Sequence, residues 1–232
     1  MNKTPFIWLG AGRAKKRGVA RRGRQLDAAA RAGLPVPEGA ILLDELFRIL
    51  LQEGVVEQEG EKVIVPDPIW LLEVFYRDVR FPHLKTTADL CVIPADDYAG
   101  PLSLKSMVHE VDLENAQQFA EALSKVWSLP IVDEKFRRDV SIVSSIEGEV
   151  VGRALSLPHE ADDVVTILSG DAEEEIHLTR LGRWDRPSQE FPPFARRLQL
   201  LLRGVRRTIN NQGIVEFFWQ DDGTVCWISL FN

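Results

Sequence analysis

The sequence has only two cysteines and no long apolar run, and each shortage excludes a class of protein. Cys91 and Cys226 lie far apart, each in an apolar segment typical of a buried strand, so they form neither a disulfide framework nor a metal-ligand spacing. No run approaches the ~20 apolar residues that a transmembrane helix needs. The apolar residues 6–9 are too few for the core of a signal peptide, which has ~7–15. We therefore predict a cytoplasmic protein without a membrane span.

The rest of the composition is that of an ordinary folded protein. The 232 residues are 45% hydrophobic and 27% charged, enough to bury a core as one domain or two small ones. The net charge of −7 argues against a protein that coats nucleic acid over its whole surface. Helical periodicity dominates the first part of the chain and strand alternation the second. We predict an α/β fold with an α-rich part at residues 1–130 and a β-rich part at residues 131–232.

The best-marked local structure is a predicted helix that begins near Arg22 and ends at Gly33. Leu26, Ala29 and Ala30 share one face with Gly33 at three- and four-residue spacing. Gly33 is a stop signal, since glycine suits the left-handed residue that follows a helix. Two prolines then hold the chain extended.

A strand and a second helix are predicted to follow these prolines. Residues 40–43 form a short apolar run, and Asp44 is the predicted cap of a helix at residues 45–52. The apolar strands at the two ends of the chain, residues 6–9 and 224–230, are both expected to be built into sheets. Three residues of the second helix are expected to face the interior: Leu46, Ile49 and Leu50.

Residues 10–24 form a basic, glycine-containing loop at the start of the first helix, within an otherwise acidic chain. One hypothesis is a solvated cationic loop without a specific ligand. The other is an anion-binding patch for a nucleotide phosphate, a nucleic-acid backbone or an acidic partner surface, because a helix N-terminus favours anions and arginine binds phosphate in a bidentate manner. The cations are Arg13, Lys15, Lys16, Arg17, Arg21, Arg22 and Arg24.

The order of residues in this region resembles a known family. Residues 32–39, AGLPVPEG, with their flanking helix, strand and helix, are similar to the N-terminal nucleotide-binding domain of pyruvate, phosphate dikinase, phosphoenolpyruvate synthase and rifampin phosphotransferase. Residues 140–145, 214–217 and 225–232 resemble that domain's later strands. The resemblance implies an ATP-grasp-like fold, which clamps ATP between two lobes and uses magnesium to move phosphoryl groups.

Most of the functional positions that the resemblance implies are replaced in this chain. Arg22 stands where the family has the lysine of its glycine loop, and Val143 stands where it has a phosphate-facing arginine. Of the two metal-binding acids, one position is Ile214 and the other is Glu216. Ser229 and Phe231 replace a terminal glutamine and arginine. A single carboxylate makes a weak magnesium site, so we predict no catalytic residue.

Two classes of function follow from this comparison. The first is a degenerate ATP-grasp-like protein that does not catalyse and acts as a binding, scaffold or regulatory subunit with a protein partner or larger assembly. The second is an ATP-binding phosphotransferase component that works with domains on other chains. In either class, the candidate nucleotide-binding residues are Arg21, Arg22, Arg24 and Glu216. Glu216 is also the candidate metal ligand. The cofactors that the resemblance allows are ATP and magnesium.

Other polar groups of the sequence indicate no chemistry. The four histidines share no metal-binding spacing, and we interpret them as isolated surface residues. The acidic residues 171–175 are expected in a solvated loop. Ser144 and Ser145 lack the neighbours of a catalytic nucleophile. Residues 184–194 predict an ordered connector, whose exposed aromatic side chains are an alternative partner surface.

Overall fold

The computed structural model describes residues 4–84, 86–94, 96, 107–129, 137–146, 150–157, 159–169, 172–209, 214–219 and 226–231. These residues form helices and antiparallel sheets, so the predicted α/β class is confirmed. The helices are α1 (Arg21–Arg31), α2 (Asp44–Gln52), α3 (Pro68–Glu73), α4 (Ala116–Trp127) and α5 (Pro193–Ile209). A π-helical turn, Val74–Asp78, follows α3 directly.

The strands of the first half are β1 (Phe6–Trp8), β2 (Gly39–Leu42), β3 (Glu57–Glu59), β4 (Lys62–Ile64), β5 (Ala88–Ile93) and β6 (Met107–Val111). Those of the second half are β7 (Asp139–Ser144), β8 (Val150–Leu155), β9 (Asp162–Ser169), β10 (Ala172–Thr179), β11 (Ile214–Trp219) and β12 (Cys226–Phe231). Both end strands are paired, β1 with β2 and β12 with β11, which confirms the prediction for the two ends of the chain.

The chain divides into two compact units. The first contains Met1–Arg24 and Glu38–Ser145, and the second contains Gln25–Pro37 and Ile146–Asn232. The chain therefore enters the second unit early, through most of α1 and the turn after it, and returns to the first at Glu38. The predicted boundary at residue 130 lies outside the described residues and stays a prediction.

The first unit is built on a five-stranded antiparallel sheet in the order β1-β2-β7-β5-β6. Alternation along β2 divides the two faces: Ala40 and Leu42 join a large core, whereas Ile41 joins a smaller core on the other side. The large core includes buried aromatic side chains from α2, the π-helical turn and α4. Four of them are Phe47, Phe75, Phe119 and Trp127.

The start of α2 differs from the prediction. Asp44 is not the cap: it is the first residue of the helix, after Leu43, and its own N–H donates to Oδ1 of Asp139 at 2.8 Å. The carboxylate that caps α2 therefore comes from β7, far along the chain. Leu46 and Leu50 are buried as predicted, but Ile49 is 41% exposed, and Phe47 takes the inward position instead.

The second unit is built on another antiparallel sheet, in the order β10-β9-β8-β11-β12. The N-terminal part of this unit, Gln25–Pro37, includes Gly33, whose φ of 74° confirms the predicted stop of α1. Helix α5 buries one apolar face, which includes Leu198, Leu202 and Val205. Among the described residues, no helix is both long and apolar enough to cross a membrane.

Candidate functional site

The basic residues 13–24 are folded onto the sheet of the first unit. Lys15–Arg17 forms a 3-10 turn that ends at Gly18, in the left-handed region with φ 72°. Ala14 and Val19 on either side are fully buried and belong to the smaller core with Ile41 and its neighbours. The backbone of this segment is therefore ordered, because two apolar side chains fix it, and whether it binds a specific ligand stays a prediction. We call it the basic segment.

Gly23 explains how closely the first turn of α1 approaches the sheet. A Cβ at this position would lie 2.5 Å from Cγ1 of Val19 and 2.9 Å from Cδ1 of Ile93. Real Cβ atoms do not approach neighbours this closely, so any larger residue would push the helix start away from the core. Gly23 is therefore needed for packing, independently of any ligand.

An internal carboxylate already occupies the N-terminus of α1. The backbone N–H of Arg21 donates to Oδ1 of Asp96, and Nη2 of Arg24 lies 3.0 Å from Oδ2 of the same carboxylate. Nη1 of Arg24 also donates to the carbonyl of Val19 at 3.2 Å. A backbone N–H at a helix start and a guanidinium are the donors that phosphate uses. The structure thus brings two of the predicted site residues together, around an anion supplied by the chain.

The remaining cations of the basic segment have different surroundings. Arg13, Lys15 and Lys16 are exposed and form no ion pair with any described residue. Arg17 donates to the carbonyl of Thr4 at 3.0 Å. Arg22 is half-buried, and its Nη1 is shielded from solvent. Three cations of the segment are therefore directed to solvent.

Glu216, the predicted metal ligand, lies in β11 of the second unit, where its backbone pairs with Arg153 and Leu230. Its side chain lies outside what the structure describes, so its role as a metal or nucleotide ligand stays a prediction.

Val143 is an apolar, closely packed residue at the position where the resemblance implies an arginine. It is 4% exposed and pairs with Gly39 on one side and Asp89 on the other. A Cβ at Gly39 would lie only 2.9 Å from Cγ1 of Val143. The Val143 side chain therefore packs closely against the backbone of the neighbouring strand at Gly39.

Sequence reasoning missed a polar cluster beside this position. Asp89 is only 3% exposed, and Oδ1 accepts hydrogen bonds from Oγ of Ser145 at 2.6 Å and from the N–H of Glu110 at 3.0 Å. Oδ2 lies 3.3 Å from Nδ1 of His109. Burial by itself raises the pKa of Asp89, but the hydrogen bonds from His109, Ser145 and Glu110 outweigh it and hold the pKa below its ordinary value.

A bulge between β5 and β6 creates this cluster. Ala88 pairs with Val111 and Leu90 with Val108, so two residues of β6 lie opposite Asp89 alone. One of them, Glu110, has φ 54°, which is unusual for a residue with a side chain. His109 is thus not the isolated residue we expected. The available signal was an aspartate within the apolar residues 88–93, which needs polar partners when it is buried.

Comparison with known proteins gives similarity in structure only. No family model matches the sequence, and no curated protein matches it. The D-Ala:D-Ser ligase VanG from Enterococcus faecalis is 12% identical, with a TM-score of 0.47, over 90% of this chain and 50% of that one. The D-alanine-D-alanine ligase from Coxiella burnetii is 9% identical, with a TM-score of 0.45, over 90% and 46%.

A third similar structure is the ATP-grasp ligase PsnB in complex with its precursor peptide PsnA2 and AMPPNP. It is 15% identical, with a TM-score of 0.40, over 97% of this chain and 52% of that one. The chain thus spans about half the length of these three structures. None of the three is named as a phosphoenolpyruvate synthase or a pyruvate, phosphate dikinase.

Proposed function

We propose that this chain is a degenerate, ATP-grasp-like protein that binds an anionic ligand or partner at its basic segment and does not transfer phosphoryl groups. The observation that carries the proposal is the folded basic segment itself. Ala14 and Val19 anchor it, Arg13, Lys15 and Lys16 are exposed without ion pairs to described residues, and the helix start beside them binds a carboxylate.

The contact with Asp96 supports an exchangeable anion site. Asp96 is 51% exposed and Arg24 is 38% exposed, and an ion pair this open to water contributes only ~0–1 kcal/mol. A carboxylate at a helix N-terminus adds ~0.3–1 kcal/mol. A phosphate group that brings two or more charges to the same donors would displace Asp96 at a cost of at most ~2 kcal/mol, or about 30-fold in affinity.

The residue at position 143 is the reason for proposing that the chain does not transfer phosphoryl groups. Transfer requires cations and metal ions aimed at the phosphoryl oxygens. In the family that the sequence resembles, an arginine at this position faces the phosphate. In this chain the position holds Val143, a buried apolar side chain packed against Gly39. Under this proposal, the basic segment would attract ATP through its phosphates, alone or as the magnesium complex, and ATP is not consumed.

Thermal denaturation of the whole chain with ATP, magnesium–ATP or pyrophosphate tests the binding step. A ligand at one hundred times its dissociation constant should stabilise the protein by ~2.7 kcal/mol. The triple variant Arg13→Glu, Lys15→Glu, Lys16→Glu should lose this stabilisation. A control that reverses three exposed cations elsewhere, Arg31→Glu, Lys62→Glu and Lys125→Glu, should keep it. Equal losses in both variants would show that only net charge matters.

Incubation with magnesium and labelled ATP, with pyruvate or phosphate as acceptor, tests the catalytic step. We expect no turnover. Turnover that disappears in Glu216→Gln would contradict the proposal and favour the alternative, an ATP-binding phosphotransferase component that works with domains on other chains.

A further inference from the structure

The second unit has a basic surface of its own, which the proposed function does not use. Between residues 180 and 207 the chain has eight arginines and only two acidic residues, Asp185 and Glu190, although the whole protein carries a net charge of −7. The surface combines the turn at residues 182–185 with helix α5.

Two of these arginines have a structural task. Nε of Arg180 donates to Oδ1 of Asp163 at 2.8 Å, and Nη1 of Arg206 donates to Oδ2 at 2.6 Å. Asp163 is fully buried, so the two guanidinium groups neutralise its charge and are not available to a ligand. The other arginines remain, and four of them are exposed and form no ion pair with a described residue: Arg183, Arg186, Arg197 and Arg207.

The turn before α5 is fixed at both ends. The N–H of Gly182 donates to Oδ2 of Asp185 at 2.7 Å, and Nη1 of Arg203 donates to the carbonyls of Gly182 and Asp185 at 3.1 and 2.9 Å. A Cβ at Gly182 would lie 2.7 Å from Oδ2 of Asp185, so a larger residue would have to displace this carboxylate from its hydrogen bond. Arg203 thereby ties the turn to α5.

This fixed turn presents Trp184 to solvent. Trp184 is 83% exposed, the highest value among the exposed large hydrophobic side chains of the described residues. The guanidinium of Arg183 lies 4.8 Å from the centre of the indole ring. A large aromatic side chain that is held in water by a rigid turn gains nothing for the fold, because its apolar surface is not buried.

Two arginines of α5 contact the turn that contains Trp184 or the connector after it. Arg196, Arg203 and Arg207 are spaced by seven and four residues, which places them along one line of the helix. Arg203 contacts the turn, and Nη1 of Arg196 donates to Gln189 in the connector that follows it. The turn therefore runs along the arginine stripe, and an aromatic ring and several cations share one surface of the second unit.

We propose that this surface binds single-stranded nucleic acid, with Trp184 stacking on a base and the neighbouring arginines contacting backbone phosphates. Single strands expose both the faces of their bases and their phosphates, whereas a duplex hides the base faces. Arginine serves both contacts, because its planar guanidinium stacks on rings and binds phosphate in a bidentate manner. A single strand supplies both a flat partner for the indole and anions for the arginines, whereas the acidity of a protein partner would account only for the arginines.

Fluorescence anisotropy with the whole chain tests this proposal. The probes are a labelled twelve-nucleotide single strand, the corresponding duplex, and heparin as a polyanion without bases. The single strand should bind more tightly than the duplex or heparin. Trp184→Ala should weaken single-strand binding by about 5- to 150-fold, the range found for loss of one stacked base, and leave heparin binding unchanged. Trp184→Phe should retain most of the affinity.

Charge variants separate this surface from the basic segment. Replacing Arg183, Arg186 and Arg207 by glutamine should lower the salt dependence of single-strand binding by up to about 2 in log–log slope, at ~0.7 per phosphate. The matched control, Arg13→Gln, Lys15→Gln and Lys16→Gln, should leave this binding unchanged. Unchanged single-strand affinity in Trp184→Ala, or equal affinity for heparin, would overturn the proposal and favour an acidic partner. Loss of binding only in the control would assign it to the first unit.

Discussion

Asp89 and Asp139 are buried carboxylates on neighbouring strands of one sheet, yet their pKa values move in opposite directions. Burial raises the pKa of Asp139, and the nearby carboxylate of Asp44 adds to the effect, although the guanidinium of Arg137 and the N–H of Asp44 act against it. Burial also raises the pKa of Asp89, but three donors outweigh it. Asp139 is the more deeply buried of the two and faces a second carboxylate, so its donors do not offset the effect of burial on its pKa, whereas those of Asp89 do.

Ser145 is the donor whose removal tests the cluster at Asp89. In Ser145→Ala the carboxylate loses its 2.6 Å hydrogen bond, and we expect a loss of ~1.5–3 kcal/mol in the free energy of unfolding at pH 7. The folded pKa of Asp89 lies below its ordinary value of 3.8, so this stabilisation is complete above 3.8 and disappears as the pH falls through the folded pKa.

Urea denaturation at pH 7 and at decreasing pH down to 3 measures the difference between Ser145→Ala and the unmodified protein. Ser144→Ala is the matched control, because this neighbouring serine is half-buried and has no hydrogen bond to Asp89. The two serine variants should differ at pH 7 and converge at low pH. A constant difference over the whole range would show that Ser145 stabilises the fold through packing alone.

At the scale of elements, the structure contains both local and distant helix caps. In α3 the side chain of Asp67, directly before the helix, accepts from the N–H groups of Ile69 and Trp70 at 3.0 Å. In α2 the cap is Asp139, which also binds Nε of Arg137 at 3.1 Å. A local cap is visible as a sequence pattern, whereas a cap 95 residues away is not.

The two caps should differ in their contribution to stability. Asp67→Ala should cost ~1 kcal/mol, the usual value for a lost N-cap. Asp139→Ala should cost about 3 kcal/mol, because it also leaves Arg137 without a partner on one side and removes a buried charge pair. Urea denaturation at pH 7 gives both values. Equal losses would mean that Asp139 acts only as a cap.

The same contrast between near and distant neighbours explains which features could be predicted from the sequence and which could not. Periodicity and a glycine signal suffice for α1, and apolar runs suffice for β1, β2 and β12, because these signals depend on residues within a turn or a strand. Strand β6 was missed, since its central residues are polar and belong to a bulge. The candidate site was predicted through Arg21 and Arg24, but Asp96 was not, because the contact spans 72–75 residues.

Two positions require glycine for different reasons: Gly152 because of close packing, and Gly33 because of its backbone conformation. A Cβ at Gly152 in β8 would lie 2.5 Å from the carbonyl of Thr166 and 2.8 Å from Cζ of Phe217. Gly152→Ala should therefore cost ~1–3 kcal/mol or more by overpacking. Gly33 has open space but φ 74°, so Gly33→Ala should cost ~1–2 kcal/mol through backbone strain.

Asparagine distinguishes these two causes, since it tolerates the left-handed region but is larger than alanine. Gly33→Asn should be milder than Gly33→Ala, and Gly152→Asn should be more harmful than Gly152→Ala. Thermal denaturation ranks the four variants. If asparagine is worse than alanine at both positions, the argument from backbone strain at Gly33 is wrong.

At the scale of the whole molecule, the path of the chain makes the second unit discontinuous. Residues 25–37 belong to it although 108 residues of the first unit separate them from Ile146. Two contacts show how they are held: the carbonyl of Pro35 accepts from the N–H of Ile228 at 2.8 Å, and Cδ2 of Leu34 lies 2.8 Å from where a Cβ of Gly204 would be. A cut at residue 145 therefore does not separate the two units.

This connectivity predicts that residues 146–232 do not fold fully alone. The fragment lacks Leu34 against α5 and the hydrogen bond from β12 to Pro35, so its β12 edge and one side of α5 are exposed to water. Addition of a peptide with residues 25–37 should raise its thermal midpoint and its β-sheet circular dichroism in a saturable manner. A peptide with Leu34→Asp is the control and should have a much weaker effect, because it places a charge against Gly204. A fragment 146–232 that is as stable without the peptide as with it would show that residues 25–37 only lie on the surface of the second unit.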